Sequence, residues 1–184
     1  SWSDIKRKVR IPEEMDEDLA EETGIHIGDG SLGIIKNKQW KSYRYTISGD
    51  LTDELLYHEN YIKQILKKIY NIETTLMKRI PKNNIDSRLK SKAIVEFKNK
   101  KLGLPIGSKK DIKIPKELMQ NKEFQKRCIV GVIDTDFSIT SSLSITGKLH
   151  SLFIIKEMKK ILEQNNIPHT LKIYEDYGRF YIRK

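Results

Sequence analysis

The chain has 184 residues, with 35 Lys and Arg against 25 Asp and Glu, a net charge of +10 and 38% apolar residues. This is the length of one domain or of two very small ones, with enough apolar material for a core, and its longest apolar runs, near residues 129–133 and 152–155, fall far short of the roughly 20 residues that span a bilayer. One cysteine, Cys128, excludes an internal disulfide framework and a cysteine-clustered zinc site, and no basic-then-apolar leader opens the sequence; the expectation is a cytoplasmic protein with no membrane anchor.

The charge is unevenly spread. Residues 13–22 hold seven acids and no base, whereas residues 78–116 hold thirteen bases and three acids. A basic field of this kind favours a polyanionic partner, and a lysine-rich solvated face has the same composition.

In chain order, residues 1–12 predict a short extended leader closed by Pro12. The acids that follow predict the first turns of a helix, where the dipole favours them, running on to Gly28–Gly30. Residues 32–36 and 43–48 alternate like strands around a polar turn. Residues 53–70 are periodic with Leu55, Leu56, Ile62, Ile65, Leu66 and Ile69 on one side, a helix. Residues 74–80 and 85–95 predict strands, the second passing into a helix near residues 90–101. Gly103, Pro105 and Gly107 break the chain, and residues 112–115 form a second extended leader. The order then restarts: helix 116–136, strands 137–139 and 143–145, helix 149–164, and a last hairpin from residues 171–174 and 180–183.

Helix, two strands, helix, two strands is written twice. An internal repeat of this kind predicts a pseudo-twofold α+β molecule, two αββαββ halves imitating a homodimer. The predicted division is a leader at 1–12, a first half at 13–102, an inter-repeat segment at 103–115 and a shortened second half at 116–184. Residues 22–31 (ETGIHIGDGS) overlay residues 129–138 (IVGVIDTDFS) at an offset of 107, so Gly24 meets Gly131, Gly28 meets Thr135 and Asp29 meets Asp136. Small residues at i and i+4 let helix backbones approach, which makes Gly24, Gly28, Gly131 and Thr135 a predicted helix interface with one aspartate at each helix end. Two aspartates brought close together repel, and need a divalent cation or a shared proton.

These two segments resemble the paired LAGLIDADG motifs of homing endonucleases, in the form with two motifs on one chain. The strand–strand–helix order after each motif matches as well, and residues 103–115 (GLPIGSKKDIKIP) resemble the inter-repeat segment of archaeal-type members. The resemblance implies a site-specific double-strand DNA endonuclease, a prokaryotic monomer with internal pseudo-twofold symmetry whose two curved antiparallel sheets lie in the major groove. It implies that Asp29 and Asp136 bind Mg²⁺, with Mn²⁺ able to replace it, that the backbone carbonyls of Gly28 and Thr135 complete the coordination, and that Lys109 assists the water or the leaving group with Lys110 behind it. Lys36, Lys38, Lys41 and Arg44 on the first hairpin, with Lys78, Arg79 and Lys110, are the candidate DNA contacts, an arginine being suited to guanine edges.

Several positions depart from the family pattern. Phe137 stands where members often carry glycine, so an altered backbone turn is expected there. Gly49 and Gly147 are expected to be equivalent, at the place of a polar active-site residue. The second hairpin is short, with only Thr140, Ser141, Ser142 and Ser144 as polar residues, which assigns the larger share of DNA contact to the first half. No second Lys109 follows the last strand. The alternative is therefore a cleavage-deficient DNA- or RNA-binding relative, a maturase or a regulator. Ser1 is not matched by a terminal His-Asn pair, so an intein is not expected, and an intron-encoded or freestanding origin is. His26 is expected at the helix interface with a satisfied hydrogen bond, His58, His150 and His169 in solvated or capping roles, and Asp134 facing solvent.

Overall fold

The computed structural model describes residues 1–140 and 143–182. Ser141 and Ser142, predicted in the short polar loop, and Arg183 and Lys184 after the last strand lie outside the described residues.

The leader is not wholly extended: α1 (Trp2–Lys6) forms on a reciprocal cap between Ser1 and Asp4. In α2 (Glu17–Asp29) the Asp16 side chain accepts the Leu19 amide at 2.8 Å, and Glu17 and Asp18 occupy the first turn, where the helix dipole favours anions. It leads straight into β1 (Gly30–Lys36) and β2 (Lys41–Asp50). The periodic helix that follows has a π-wound turn, Tyr57–Ile62, ahead of α3 (Lys63–Tyr70). Next come β3 (Thr75–Arg79), β4 (Asn84–Lys90) and α4 (Lys92–Glu96), the last continued by a π turn, Phe97–Lys101.

The second half contains α5 (Lys116–Met119), α6 (Lys122–Asp136), β5 (Phe137–Ile139), β6 (Ile145–Leu149), α7 (Leu152–Gln164), β7 (His169–Ile173) and β8 (Gly178–Ile182). Three local expectations need correction. The single helix expected over 116–136 is two, because the Asn121 side chain accepts the Glu123 amide at 2.8 Å and starts a new helix there. Leu143 adopts a left-handed φ of 57°, so the strand expected at 143–145 starts at Ile145 and runs to Leu149. Ser151 caps α7, which therefore begins at Leu152, after the residues its apolar pattern includes.

Two antiparallel four-stranded sheets result, ordered β1-β2-β4-β3 and β5-β6-β8-β7, the same path traced twice. One face of each is buried, by Tyr45, Ile47, Ile85 and Leu89 in the first and by Leu149, Phe180 and Ile182 in the second. Helices α3 and α7 supply Leu66, Ile69, Ile155 and Met158 to the same core. Between the halves, α2 and α6 cross backbone to backbone. A Cβ on Gly24 would overlap the Cys128 carbonyl, one on Gly131 the Glu21 carbonyl, and one on Gly28 the Thr135 hydroxyl. The predicted small-residue interface is the helix crossing, and at Gly24 and Gly131 the obstacle is rigid backbone. No helix among the described residues is long and apolar enough to cross a membrane.

Candidate active site

Because α2 and α6 each pass directly into a strand, Asp29 and Asp136 end their helices at the same level of the crossing. The Asp136 carboxylate lies against Gly28: a Cβ there would be 3.2 Å from its Oδ2. Burial, then the neighbouring Asp136 and Glu54 carboxylates, push Asp29 up to about 7, with Lys109 opposing. Burial pushes Asp136 up to about 6, against Lys109 and His150. Two half-buried carboxyls raised together mark a site that favours a cation or a proton.

The inter-repeat segment delivers Lys109. Its backbone bridges β1 at Leu32–Ile106, the Gly107 amide donates to the Leu32 carbonyl at 2.9 Å, and Gly107 turns with a φ of 89°, a conformation glycine adopts freely. The Lys109 ammonium donates to the Ile27 carbonyl at 3.0 Å and to the Gly28 carbonyl. Burial lowers its pKa while Asp136 and Asp29 hold it up. The Gly28 carbonyl, expected to face a metal, is thus engaged by a lysine. The Thr135 hydroxyl donates back along its own helix to Gly131 and Val132, at 2.9 and 3.1 Å.

The expected disturbance at Phe137 does not occur. Gly30 and Phe137 leave their helices in the same extended conformation, ψ 154° in both. Gly30 pairs with Ile47 across β1–β2, and Phe137 pairs with Gly147 across β5–β6, where its ring fills the space a Gly147 side chain would need. Large and small have simply exchanged strands. This register also corrects the expected equivalence of Gly49 and Gly147: Gly147 answers to Ile47, Ser48 to Lys148 and Asp50 to His150. Gly49 answers to Leu149.

Lys148, which no motif marks, and His150, expected in a solvated or capping role, line a cavity of about 120 Å³ with Asp136, Lys109, Gly28 and Ser151. His150 Nδ1 lies 3.2 Å from the Asp176 carbonyl. On the Asp29 side the neighbours are acidic. Glu54 accepts the Asp50 amide at 2.5 Å, and its Oε2 and His58 Nε2 crowd Gly49.

His26 and His58 also differ from expectation. His26 is fully buried with neither ring nitrogen hydrogen-bonded, its ring stacked on Tyr45 at 5.1 Å, and burial, then Lys98 and Lys109, hold its pKa well below the usual value. His58 is buried, with Nδ1 2.8 Å from the Ser87 hydroxyl, and neither solvated nor a cap. Of the candidate DNA contacts, Lys36, Lys38 and Lys41 sit exposed at the end of the first hairpin, beside Trp40. Arg44 and Arg79 share the outward face of the first sheet; Lys78 alternates to the other face, its ammonium 2.9 Å from Glu59. Lys110 is exposed and lines a separate surface cavity that shares His150. Arg88, outward on β4, is a face residue that alternation from Arg79's partner strand identifies.

Two crossed helices that each end in an aspartate, between two identically ordered sheets, define a fold, and solved structures share it: the chain has the LAGLIDADG homing-endonuclease fold. Superposition on the homing endonuclease I-DmoI in complex with DNA and Mn gives a TM-score of 0.68 at 16% identity, over 91% of this chain and 89% of that one. The LAGLIDADG meganuclease I-AabMI bound to uncleaved DNA gives 0.55 at 15% identity, over 92% and 79%. No protein-family model matches the chain, and no curated protein matches it by sequence.

Proposed function

We propose that the chain is a site-specific, divalent-metal-dependent endonuclease that hydrolyses both strands of duplex DNA. The observation that carries this reading is the convergence of Asp29 and Asp136 at the α2–α6 crossing, with the Lys109 ammonium beside them. The similarity to structures solved with DNA and Mn supports it.

The donors at the crossing suit a hard cation such as Mg²⁺, with Mn²⁺ in its place: they are the carboxylate oxygens of Asp29 and Asp136, whose mutual repulsion a cation relieves. Among the described residues no group of three or more His, Cys, Asp and Glu forms a cage, so Asp29 and Asp136 would hold the metal with phosphate and water oxygens completing its shell. When bound, the metal would polarise the scissile phosphate and lower the pKa of water. Lys109, fixed by two carbonyls, holds a positive charge beside the carboxylates where negative charge develops in phosphoryl transfer. Lys148 adds positive charge on the Asp136 side, where the His150 ring also lines the cavity.

The test is selection of a cleavable duplex from a randomised library in Mg²⁺ or Mn²⁺. Linear product that disappears with Asp29→Asn and with Asp136→Asn supports the reading. A library that yields tightly bound duplexes but no cut product with either metal makes the protein a binding-only relative.

A further inference from the structure

The polar side chains that line the Asp136 cavity are proton donors, apart from Asp136 itself and His150. The Lys109 ammonium donates to the Ile27 carbonyl at 3.0 Å and to the Gly28 carbonyl. The Ser151 hydroxyl donates to the Ile112 carbonyl at 2.8 Å. Lys148, an ammonium 4.1 Å from the Tyr177 ring centroid, has protons to offer and no lone pair. His150 is different. Its Nδ1 lies 3.2 Å from the Asp176 carbonyl, an oxygen that can only accept, so Nδ1 carries the hydrogen of that bond. In the neutral ring this leaves the lone pair on Nε2. The Tyr177 ring, 6.1 Å away and inclined by 51°, backs the same imidazole.

His150 also stands at a boundary. It lines the Asp136 cavity on one side and, on the other, a surface cavity of about 530 Å³ with Lys110, Asp111 and Asp176. A proton taken up on the first side has an exit to solvent on the second. The first half is built otherwise. Asp50, which answers to His150 in the register, commits its carboxylate to the Thr52 and Asp53 amides at 2.8 and 3.0 Å and to the Asn83 side chain at 2.8 Å. The two histidines of that half, His26 and His58, are 0% and 1% exposed. Resting on the endonuclease reading above, we infer that His150 is the general base for the strand cut at Asp136, a role no histidine fills at Asp29. Nε2 takes a proton from the attacking water as the water oxygen bonds to phosphorus. The bond from phosphorus to the departing sugar oxygen breaks, and that oxygen keeps the electron pair and takes a proton from solvent. His150 then releases its own proton through the surface cavity. The two strands are cut by different proton routes.

The test uses a selected duplex with a different label on each strand. His150→Ala should slow the cutting of one strand by at least about a hundredfold and leave the other near its wild-type rate, so that nicked duplex accumulates. Added imidazole should restore the slow strand in proportion to its concentration, because His150 is exposed and the space it vacates opens to solvent. A merely structural role would not respond to imidazole. Binding of Mn²⁺, followed by paramagnetic resonance, should be the same in His150→Ala as in wild type, which separates a base from a metal ligand. In metal-free protein, long-range proton–nitrogen NMR in alkaline buffer should show His150 as the Nδ1–H tautomer. Equal slowing of both strands, unaltered rates, a slow strand that imidazole does not restore, weakened Mn²⁺ binding or an Nε2–H tautomer overturns the inference and leaves the endonuclease reading standing. Wild-type protein that cuts neither strand overturns the endonuclease reading itself, and the role of His150 with it.

Discussion

Asp29 and Asp136 end equivalent helices in unlike surroundings. Around Asp29 stand Glu54 and the Asp50 backbone it holds, around Asp136 stand His150 and Lys148, and Lys109 is shared between the two carboxylates. The contrast continues beneath the motif helices. In the first half Glu22 is buried in an ion pair with Lys98 at 2.7 Å, both 0% exposed, and Lys98 lies 4.5 Å from the Tyr45 ring on which His26 stacks. At the overlaid positions the second half has Ile129 for Glu22 and Ile133 for His26. A duplicated backbone thus carries a buried ion pair beneath one motif helix and isoleucines at the matching places beneath the other. Backbone path depends on the spacing of small and apolar residues, which the repeat preserves; the electrostatics depend on single side chains, which it does not.

The largest effect should come from the feature the halves share. Asp29→Asn and Asp136→Asn should each slow metal-dependent cleavage of a selected duplex by at least about a thousandfold, about 4 kcal/mol of barrier, while anisotropy shows DNA binding retained. A variant that keeps wild-type rates would mean that the carboxylates do not act as a pair.

The buried ion pair tests the difference between the halves. Lys98→Met leaves Glu22 buried beside Tyr70 without its counter-charge, and should cost about 3–5 kcal/mol in denaturant unfolding. Combining it with Glu22→Ile, the residue type of the second half, should recover most of that loss. Failure of the double variant to recover would show that the first half needs the pair for more than charge balance.

The helix crossing predicts a smaller loss. Gly24→Ala places a methyl group against the Cys128 carbonyl and should cost about 1–3 kcal/mol. Gly33→Ala on β1, with nothing within 4 Å of its new Cβ, should change stability by less than about 0.5 kcal/mol. Equal melting temperatures for the two would sink the close-contact claim.

The smallest effect depends on pH. Folding holds the His26 pKa well below its ordinary 6.5, through burial first and then Lys98 and Lys109. The unfolded chain therefore binds more protons below pH 6.5, and folding stability falls as the solution is acidified, by at most about 1.4 kcal/mol per pH unit. His26→Met should remove this component, so that the variant gains on wild type by about 1 kcal/mol between pH 6.5 and 5.5. Parallel stability curves would show that His26 is not the group responsible.

Much of this molecule was legible in one dimension. The offset of 107 paired the motif helices, and small residues at Gly24, Gly28 and Gly131 marked their contact, because backbone approach has a steric requirement that shows in residue size. Asp29, Asp136 and Lys109, the residues of the proposed site, were singled out by motif and resemblance. Local capping decided the helix starts at Leu152 and Lys122, which apolar periodicity alone misplaces.

What the sequence could not supply was register and burial. Lys148 and His150 came to the Asp136 cavity only when the Phe137–Gly147 pair fixed which residues of β6 answer to those of β2. The exchange of Gly30 and Ile47 for Phe137 and Gly147 is invisible until both strands are paired, since each substitution read alone looks like a defect. Lys148, Arg179 and Lys172 stand opposite one another across three strands whose order in space, β6-β8-β7, is not their order in the chain. Residue size and helical spacing are properties of a segment and can be read from it. Which charges stand opposite one another, and which groups share a cavity, are properties of pairs far apart in sequence, and only the packed fold selects the pairs.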